Sequence, residues 1–447
     1  MTKNHCTRFD KIVYVLFASL FIIDFFSVFS FQKDLFVQLS FFIIGAISYF
    51  MFAKEEKFIS IFRLVHVFMF LFCYLAPMHQ YISNTEYWDM GPLYDSHYLK
   101  ANILILIFYI SIIFISKMIK NKSIIKFKES KITMNSLSTL ISTLLSVVCM
   151  VLLYISGELF STSGGTSNSS IDGSFQSLIF KILRFYPVSV VLLLVFIKRN
   201  NKLNLRTDIF YFYLVLNLLL SLIIYNPLAG TISRYLLLGT YIMVFLALFP
   251  NIKNKSILLI ILFVGFYFIF PTMNYFKNNS FSDFNSLEFL KMDLTSSDYD
   301  AYYMFAKSIE YVDTNSCWLG KNLITGILSF VPRSIWATKL APSGEIMADH
   351  FNAFFTNVSC PIFAEFYLAF DIYGFLFLSL AFGYLLKTLE KYVDSNNYIL
   401  KGISFIFVGL IIILLRGSLL PISSFIFSLA IAYLIQLTLL RLLCELH

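Results

Sequence analysis

The chain has 447 residues, of which 58% are hydrophobic and 13% charged, with a formal net charge of +8 and a mean hydropathy of +0.77. Soluble domains carry about twice that share of charge, so too little polar surface remains to cover a water-soluble particle. A cytosolic enzyme, a disordered chain and a disulfide scaffold are excluded together, which leaves a multi-spanning membrane protein.

In chain order, apolar segments suited to crossing about 30 Å of hydrocarbon lie at 11–31, 35–53, 58–78, 101–116, 135–156, 176–197, 208–225, 235–250, 257–272, 361–386, 402–415 and 422–440. Twelve spans are predicted. The ten-residue alternating segments of a barrel are not seen, and hydrogen-bond satisfaction in lipid then requires an all-α polytopic bundle. A basic stretch precedes the first span, but no small-x-small cleavage site follows and Asp24 interrupts its core. It reads as an uncleaved helix.

Lys and Arg placement sets the direction. With Lys3, Arg8 and Lys11 in the cytoplasm, every second loop lies there too. Those loops hold Lys54, Lys57, the lysines from Lys117 to Lys131, Lys198, Arg199, Lys202 and Arg206, then Lys253, Lys255, Lys387, Lys391, Lys401 and Arg441. Together they are most of the 34 basic residues, and both termini are expected in the cytoplasm. The chain divides into nine spans over 1–272, an extracytoplasmic loop over 273–360 and three spans over 361–447. Cys317 and Cys360 share that loop, so a disulfide and two free thiols both stand as readings. The stretch STSGGTSNSS at 161–170 reads as a flexible connector.

The long loop has six basic and nine acidic residues and an internal pattern. After Ser296 and Ser297, Ala301, Met304, Phe305, Ile309 and Val312 recur at helical spacing. This predicts an amphipathic helix over 298–312, lying on the membrane surface or the top of the bundle. The run LITGILSFV at 323–331 is apolar but too short to span, and Pro332 ends it. It reads as a re-entrant or interfacial half-helix.

Candidate chemistry collects on the outer side. Arg333 directly follows Pro332; its planar fork suits a phosphate, against an arginine snorkelling to headgroups beside Trp336. Arg234, Arg416, Lys181 and Arg184 put further cations near outer helix ends. Singly each reads as a surface anchor; together they supply what a lipid diphosphate requires. Glu365 lies in the apolar run PIFAEFYLAFDIYG, where a raised pKa would suit a general base, against a carboxylate paired with an arginine. His350 is the second candidate base and Asp371 the third. Asp298-Tyr299-Asp300 has the Asp-x-Asp form of metal-holding sugar-nucleotide enzymes, yet capping at a helix start explains it more cheaply. Within the predicted spans Asp24, Arg63 and His66 require partners, and His66 is their only histidine. No P-loop, Rossmann fingerprint or kinase set is present, and no cytoplasmic segment is long enough for a nucleotide domain. Energy must therefore arrive with the substrate or an ion gradient. No metal and no other cofactor is expected, and nothing calls for nucleic acid.

The run GILSFVPRSIWATKLAPSGE followed by CPIFAEFYLAFDIYGF resembles the O-antigen (oligosaccharide repeat-unit) polymerases of the Wzy type. In that family a Pro-Arg-x-x-Trp-x-x-Lys-Pro stretch follows the long periplasmic loop and leads to Glu-x-Tyr and a Gly. Here Pro332, Arg333, Trp336, Lys339, Glu365, Tyr367 and Gly374 match, while Leu340 and Ala341 separate Lys339 from Pro342. The resemblance implies a GT-C-like glycosyltransferase of the bacterial inner membrane. It would move a growing glycan from undecaprenyl diphosphate onto a new undecaprenyl-diphosphate-linked oligosaccharide, with a chain-length-determining co-polymerase as partner. On that reading Arg333, Arg234, Arg416 and Lys339 hold the diphosphate, and Glu365 or His350 is the base. Tyr302, Tyr303, Trp318 and Trp336 would contact glycan. Rival readings are an O-antigen ligase, a lipid-linked oligosaccharide flippase and a sugar-modifying membrane acyltransferase.

Overall fold

The structure, a computed structural model, describes residues 7–55, 57–119, 134–159, 175–200, 205–226, 232–250, 252, 254, 256–265 and 293–445. Among the described residues ten helices are long and apolar enough to cross a membrane. They are α1 (Arg8–Val28), α2 (Leu35–Lys54), α3 (Ile61–Ser83), α4 (Asp95–Met118), α5 (Ser136–Ile155), α6 (Phe175–Arg199), α7 (Thr207–Ile224), α13 (Ile362–Tyr392), α14 (Tyr398–Arg416) and α15 (Leu419–Glu445). Between α7 and α13 lie the shorter apolar α8 (Arg234–Leu248) and α9 (Ile257–Val264), then α10 (Ala301–Thr314), α11 (Lys321–Ile327) and α12 (Ser343–His350). Ten of the twelve predicted spans coincide with these ten helices, the eighth and ninth fall on the shorter α8 and α9, and the chain is an all-α polytopic membrane protein. The end of the ninth span, 161–170, and 273–292 lie outside the described residues.

Short polar residues start the helices. Thr7 and Asp10 form a capping box at α1, Asp34 accepts the Val37 N–H at α2, Ser60 accepts that of Arg63 at α3, and Asn397 caps α14. Each satisfies an amide that the helix itself leaves free. Asp10 also accepts hydrogen bonds from the amide and hydroxyl of Ser256, tying the start of α1 to that of α9. At the same end Lys57 pairs with Asp394 at 2.9 Å, and Asn200 donates to the Tyr398 hydroxyl. The described ends of the basic loops thus gather at one end of the bundle and the 293–361 segment at the other.

The spans pack on small and polar contacts, since apolar side chains gain little by leaving lipid for one another. Gln436 donates to Ser142 at 2.7 Å and Asn217 to Thr143 at 3.0 Å, joining α15 and α7 to α5. A Cβ on Gly239 would stand 2.5 Å from the Gly409 carbonyl oxygen, so α8 and α14 touch backbone to backbone. α3 and α14 are central, with 83% and 78% of their most apolar windows buried, against 22% for α1. One turn of α3, Leu71–Leu75, is of π type.

The structure corrects three expectations. α3 runs past residue 78 to Ser83 and so includes His79, whose Nε2 lies 3.0 Å from Asp24 Oδ1; Tyr74 donates to the other oxygen. His66 is therefore not the only histidine in a span. The amphipathic helix begins at Ala301 and does not rest on a surface: every residue from Ala301 to Ile309 is buried. Phe305 stacks among Phe363, Tyr367 and Phe375, which explains why one apolar stripe is not enough to describe it. The tenth span is broken, with Phe370 and Asp371 outside helical geometry and Asp371 at φ +53°.

Candidate functional site: the outer end of the bundle

The Asp-x-Asp tripeptide fastens the outer segment to the bundle. Arg234, first residue of α8, holds Asp298 through two parallel bonds of 2.8 and 2.5 Å. Arg416, last residue of α14, donates to Asp300 at 2.9 Å and to the Asp298 carbonyl at 3.1 Å. Its guanidinium lies over the Tyr235 ring at 4.2 Å, and Tyr235 donates to the same carbonyl. Ser359 adds its amide and hydroxyl to Asp300. On α3, Gln80 donates to the carbonyls of Leu294 and Tyr299. Arg234 and Arg416 are thus engaged by carboxylates, and in this conformation neither presents a free fork to a diphosphate. The expected cap of the amphipathic helix is instead a double ion pair across two spans. Among the described residues no three His, Cys, Asp or Glu side chains come together as a metal would require.

Glu365 sits in the first turn of α13 and is fully buried. Oε2 accepts from Asn322 Nδ2 at 2.8 Å and Ser343 Oγ at 2.7 Å, and Oε1 from the Leu419 amide at 2.8 Å. No cation lies within ion-pair distance of it among the described residues. A carboxylate saturated by neutral donors is stable without a cation, so the expected arginine pairing is absent. The same geometry argues against a directly acting base, because no face of the carboxyl reaches the surface. Its role is joinery: one side chain links α11, α12, α13 and α15. Gly344 is needed beside it, since a Cβ there would stand 2.3 Å from the Val358 carbonyl oxygen.

From α11 the chain turns into a compact hairpin over 328–342. Lys339 Nζ donates to the carbonyls of Ser329 at 2.8 Å and Val331 at 2.9 Å, just past the end of α11, where unpaired carbonyls attract cations. Arg333 reaches back to the carbonyls of Lys339 at 3.0 Å and Leu340 at 3.2 Å. These bonds use two of its five N–H donors. Neither cation has a carboxylate within 4 Å among the described residues. Burial, with the Arg333 and Lys181 charges nearby, holds the Lys339 ammonium below the ordinary lysine pKa. Lys181, on α6, donates to Ser424 on α15 at 3.1 Å, and Phe330 packs edge-on against Phe427. Three cations therefore share one corner where the hairpin meets α6 and α15. Ile324, Ile327, Phe330 and Ile335 are exposed on the hairpin and its helix, Ile335 at 79%, and form an apolar lip beside the charges. Arg184, in contrast, bonds Glu158.

The aromatic candidates separate. Tyr302 donates to Asn102 and to the Tyr98 carbonyl, and Tyr303 to the Gly91 carbonyl; both rings are about 1% exposed. They are core residues of the α10 interface, which corrects their expected contact with glycan: an amphipathic helix that inserts buries its tyrosines. Trp318 is half-buried and donates to the Tyr311 hydroxyl, while His350, exposed, meets the other edge of Tyr311 at 4.7 Å between centroids. Trp318, Tyr311 and His350 thus form one surface group. Trp336 lies on the hairpin and donates to Thr338. Cys317 and Cys360 are free thiols, and burial pushes the Cys360 thiol well up.

Sequence reasoning missed Asn322, Ser343 and Tyr235, which hold Glu365 and the Asp298 turn. A legible sign existed for the first: Asn322, Thr325 and Ser329 place a polar stripe on an otherwise apolar run. Asn322 Oδ1, Thr325 Oγ1 and Ser329 Oγ are all buried with no hydrogen-bond partner among the described residues, each at a cost on the order of 1–3 kcal/mol. Compared with protein-family models, with curated proteins and with solved structures, the chain matches none.

Proposed function

We propose that the chain is a bacterial inner-membrane glycosyltransferase that joins polyprenyl-diphosphate-linked oligosaccharide repeat units at the outer surface, as an O-antigen polymerase does. The observation that carries the reading is the corner of Arg333, Lys339 and Lys181. Among the described residues Arg333 and Lys339 have no carboxylate within 4 Å, and they adjoin an exposed apolar lip. A diphosphate on a long hydrocarbon chain presents the complement of both features. Its departure is the step that fixed cations favour most, because charge develops there in the transition state.

In this reaction the acceptor sugar hydroxyl attacks the anomeric carbon of the donor. The carbon–oxygen bond to phosphate breaks, its electron pair leaves with the diphosphate, and the hydroxyl proton passes to a base. His350 is the exposed candidate for that base, with Tyr311 and Trp318 beside it as a sugar-stacking surface. Glu365 supports the site by fixing the helices that carry His350 and deliver Arg333. The donor arrives activated, so the mechanism draws on no nucleotide. A chain-length-determining partner follows from the family resemblance alone, and placement of both termini in the cytoplasm follows from the Lys and Arg distribution.

The test is the lipopolysaccharide banding pattern of a strain lacking the gene, before and after its return. One repeat unit that becomes a ladder on restoration supports the polymerase. Bare core points to a ligase or, with repeat units trapped inside, a flippase, and unchanged chain length points to an acyltransferase.

A further inference from the structure

On α11 and its exit turn, Asn322, Thr325 and Ser329 stand at i, i+3 and i+7, which is one side of a helix. The side chains of Asn322 and Thr325 are 4% and 1% exposed. Asn322 spends both N–H groups on Glu365, one on its carbonyl and one on its carboxylate, which fixes the amide and turns Oδ1 away unbonded. At the far end of the stripe the Ser329 carbonyl accepts the Lys339 ammonium. A seam of oxygens with no protein partner among the described residues therefore runs from Glu365 to the cation corner.

Native interiors seldom leave such groups unpaired, and each one calls for an explanation. The chain around α11 offers one. Leu319 and Gly320 precede it at φ +49° and +77°, a left-handed pair that is strained for leucine. Gly320 itself and the preceding Trp318 donate their amides to the carbonyls of Ala369 and Leu368, which the break in α13 leaves without helical partners. Strain, a broken helix and unpaired oxygens thus converge on one short segment. Strain of this kind gathers where a segment has two positions.

We propose that this seam is a carbohydrate subsite, closed in this structure, that takes hydroxyl groups of the saccharide next to the phosphate held at Arg333 and Lys339. Sugar hydroxyls both donate and accept, which suits one amide oxygen and two hydroxyls spaced along a helix. The inference rests on the lipid-diphosphate reading above. It adds that α11 swings on Leu319–Gly320 to admit the sugar, and that the apolar lip moves with it.

The seam makes two measurements move in opposite directions. Removing an unpaired buried hydroxyl stabilises the closed protein, while removing a sugar contact weakens binding. The full-length protein in lipid nanodiscs is titrated with undecaprenyl diphosphate carrying the repeat unit from its own cells, and with undecaprenyl diphosphate alone. Wild type is expected to hold the glycan-bearing lipid about tenfold more tightly than the bare one. Thr325→Val and Ser329→Ala each lose that preference, keep the affinity for the bare lipid and unfold at higher temperature. Variants that retain the preference, or that unfold at lower temperature, overturn the subsite. Equal wild-type affinity for the two lipids also overturns it, while leaving the diphosphate reading intact. Binding of neither lipid to wild type removes both.

Discussion

Arg416 and Asp300 meet at 2.9 Å with 18% and 2% of their side chains exposed, joining the end of α14 to the start of α10. Removing one member of a buried pair strands the other charge and costs about 3–5 kcal/mol. Arg416→Ala is expected to lower the unfolding temperature sharply. Asp300→Asn, which keeps an oxygen for Ser359, should lower it less. The double variant Asp300→Asn/Arg416→Gln is expected to lose less than the sum of the single changes, read by thermal unfolding in detergent. Strict additivity would show that the pair does not couple the outer segment to the bundle.

Arg333 braces only backbone carbonyls, so Arg333→Ala should cost about 1 kcal/mol of stability and leave folded protein in the membrane. Chain extension is expected to stop, because the fork is the only group at the corner built to hold a phosphate bidentately. Arg333→Lys keeps the charge without the fork and should restore only short chains. A normal long-chain ladder from Arg333→Ala would remove the phosphate role.

Lys339 gives the site a pH dependence. Its folded pKa lies below the ordinary value of about 10.5. Between the two values the unfolded chain holds a proton that the folded chain has lost, so folding gains from rising pH in that window. Anion binding runs the other way, since the ammonium is charged only below its folded pKa. Affinity for inorganic pyrophosphate is therefore expected to fall as pH rises through that value. Lys339→Arg should carry the affinity further into the alkaline range. Identical profiles for the two proteins would take Lys339 out of the site.

Glu365→Gln discriminates between joinery and catalysis. The amide sets its NH2 against either the Leu419 donor or those of Asn322 and Ser343, and about 1–3 kcal/mol is lost. A lower unfolding temperature with weakened activity at every pH is expected. Full stability with activity lost would restore Glu365 as the reacting base.

The membrane bundle was legible because long apolar runs report burial in lipid directly, and ten of the predicted spans coincide with helices long enough to cross. Pairing was not. Arg234 and Arg416 read as free cations at helix ends, and Asp298 and Asp300 as a cap, because a single sequence does not bring residues 64 and 116 positions apart together. Tyr302 and Tyr303 read as sugar contacts because an inserted helix and a surface helix share one amphipathic stripe. Arg333 and Lys339 were legible through the Pro332 break, yet their grip on backbone carbonyls leaves no residue pattern. The break at Phe370–Asp371 had a weak sign in Gly374, whose Cβ would collide with Phe370.

The π turn at Leu71–Leu75 has a bearing on chain length rather than on any side chain. Each residue of a helix advances the azimuth by about 100°, and a π turn absorbs one more residue than an α turn. Deleting Cys73 would let that turn close as a plain α turn and leave the rest of α3 near its present azimuth. His79 would stay beside Asp24 and Gln80 beside the carbonyls of Leu294 and Tyr299, whereas a second extra residue would swing both by about 100°. The wide turn is thus a spare link between α3 and the outer segment: taking it out is tolerated, and adding another is not.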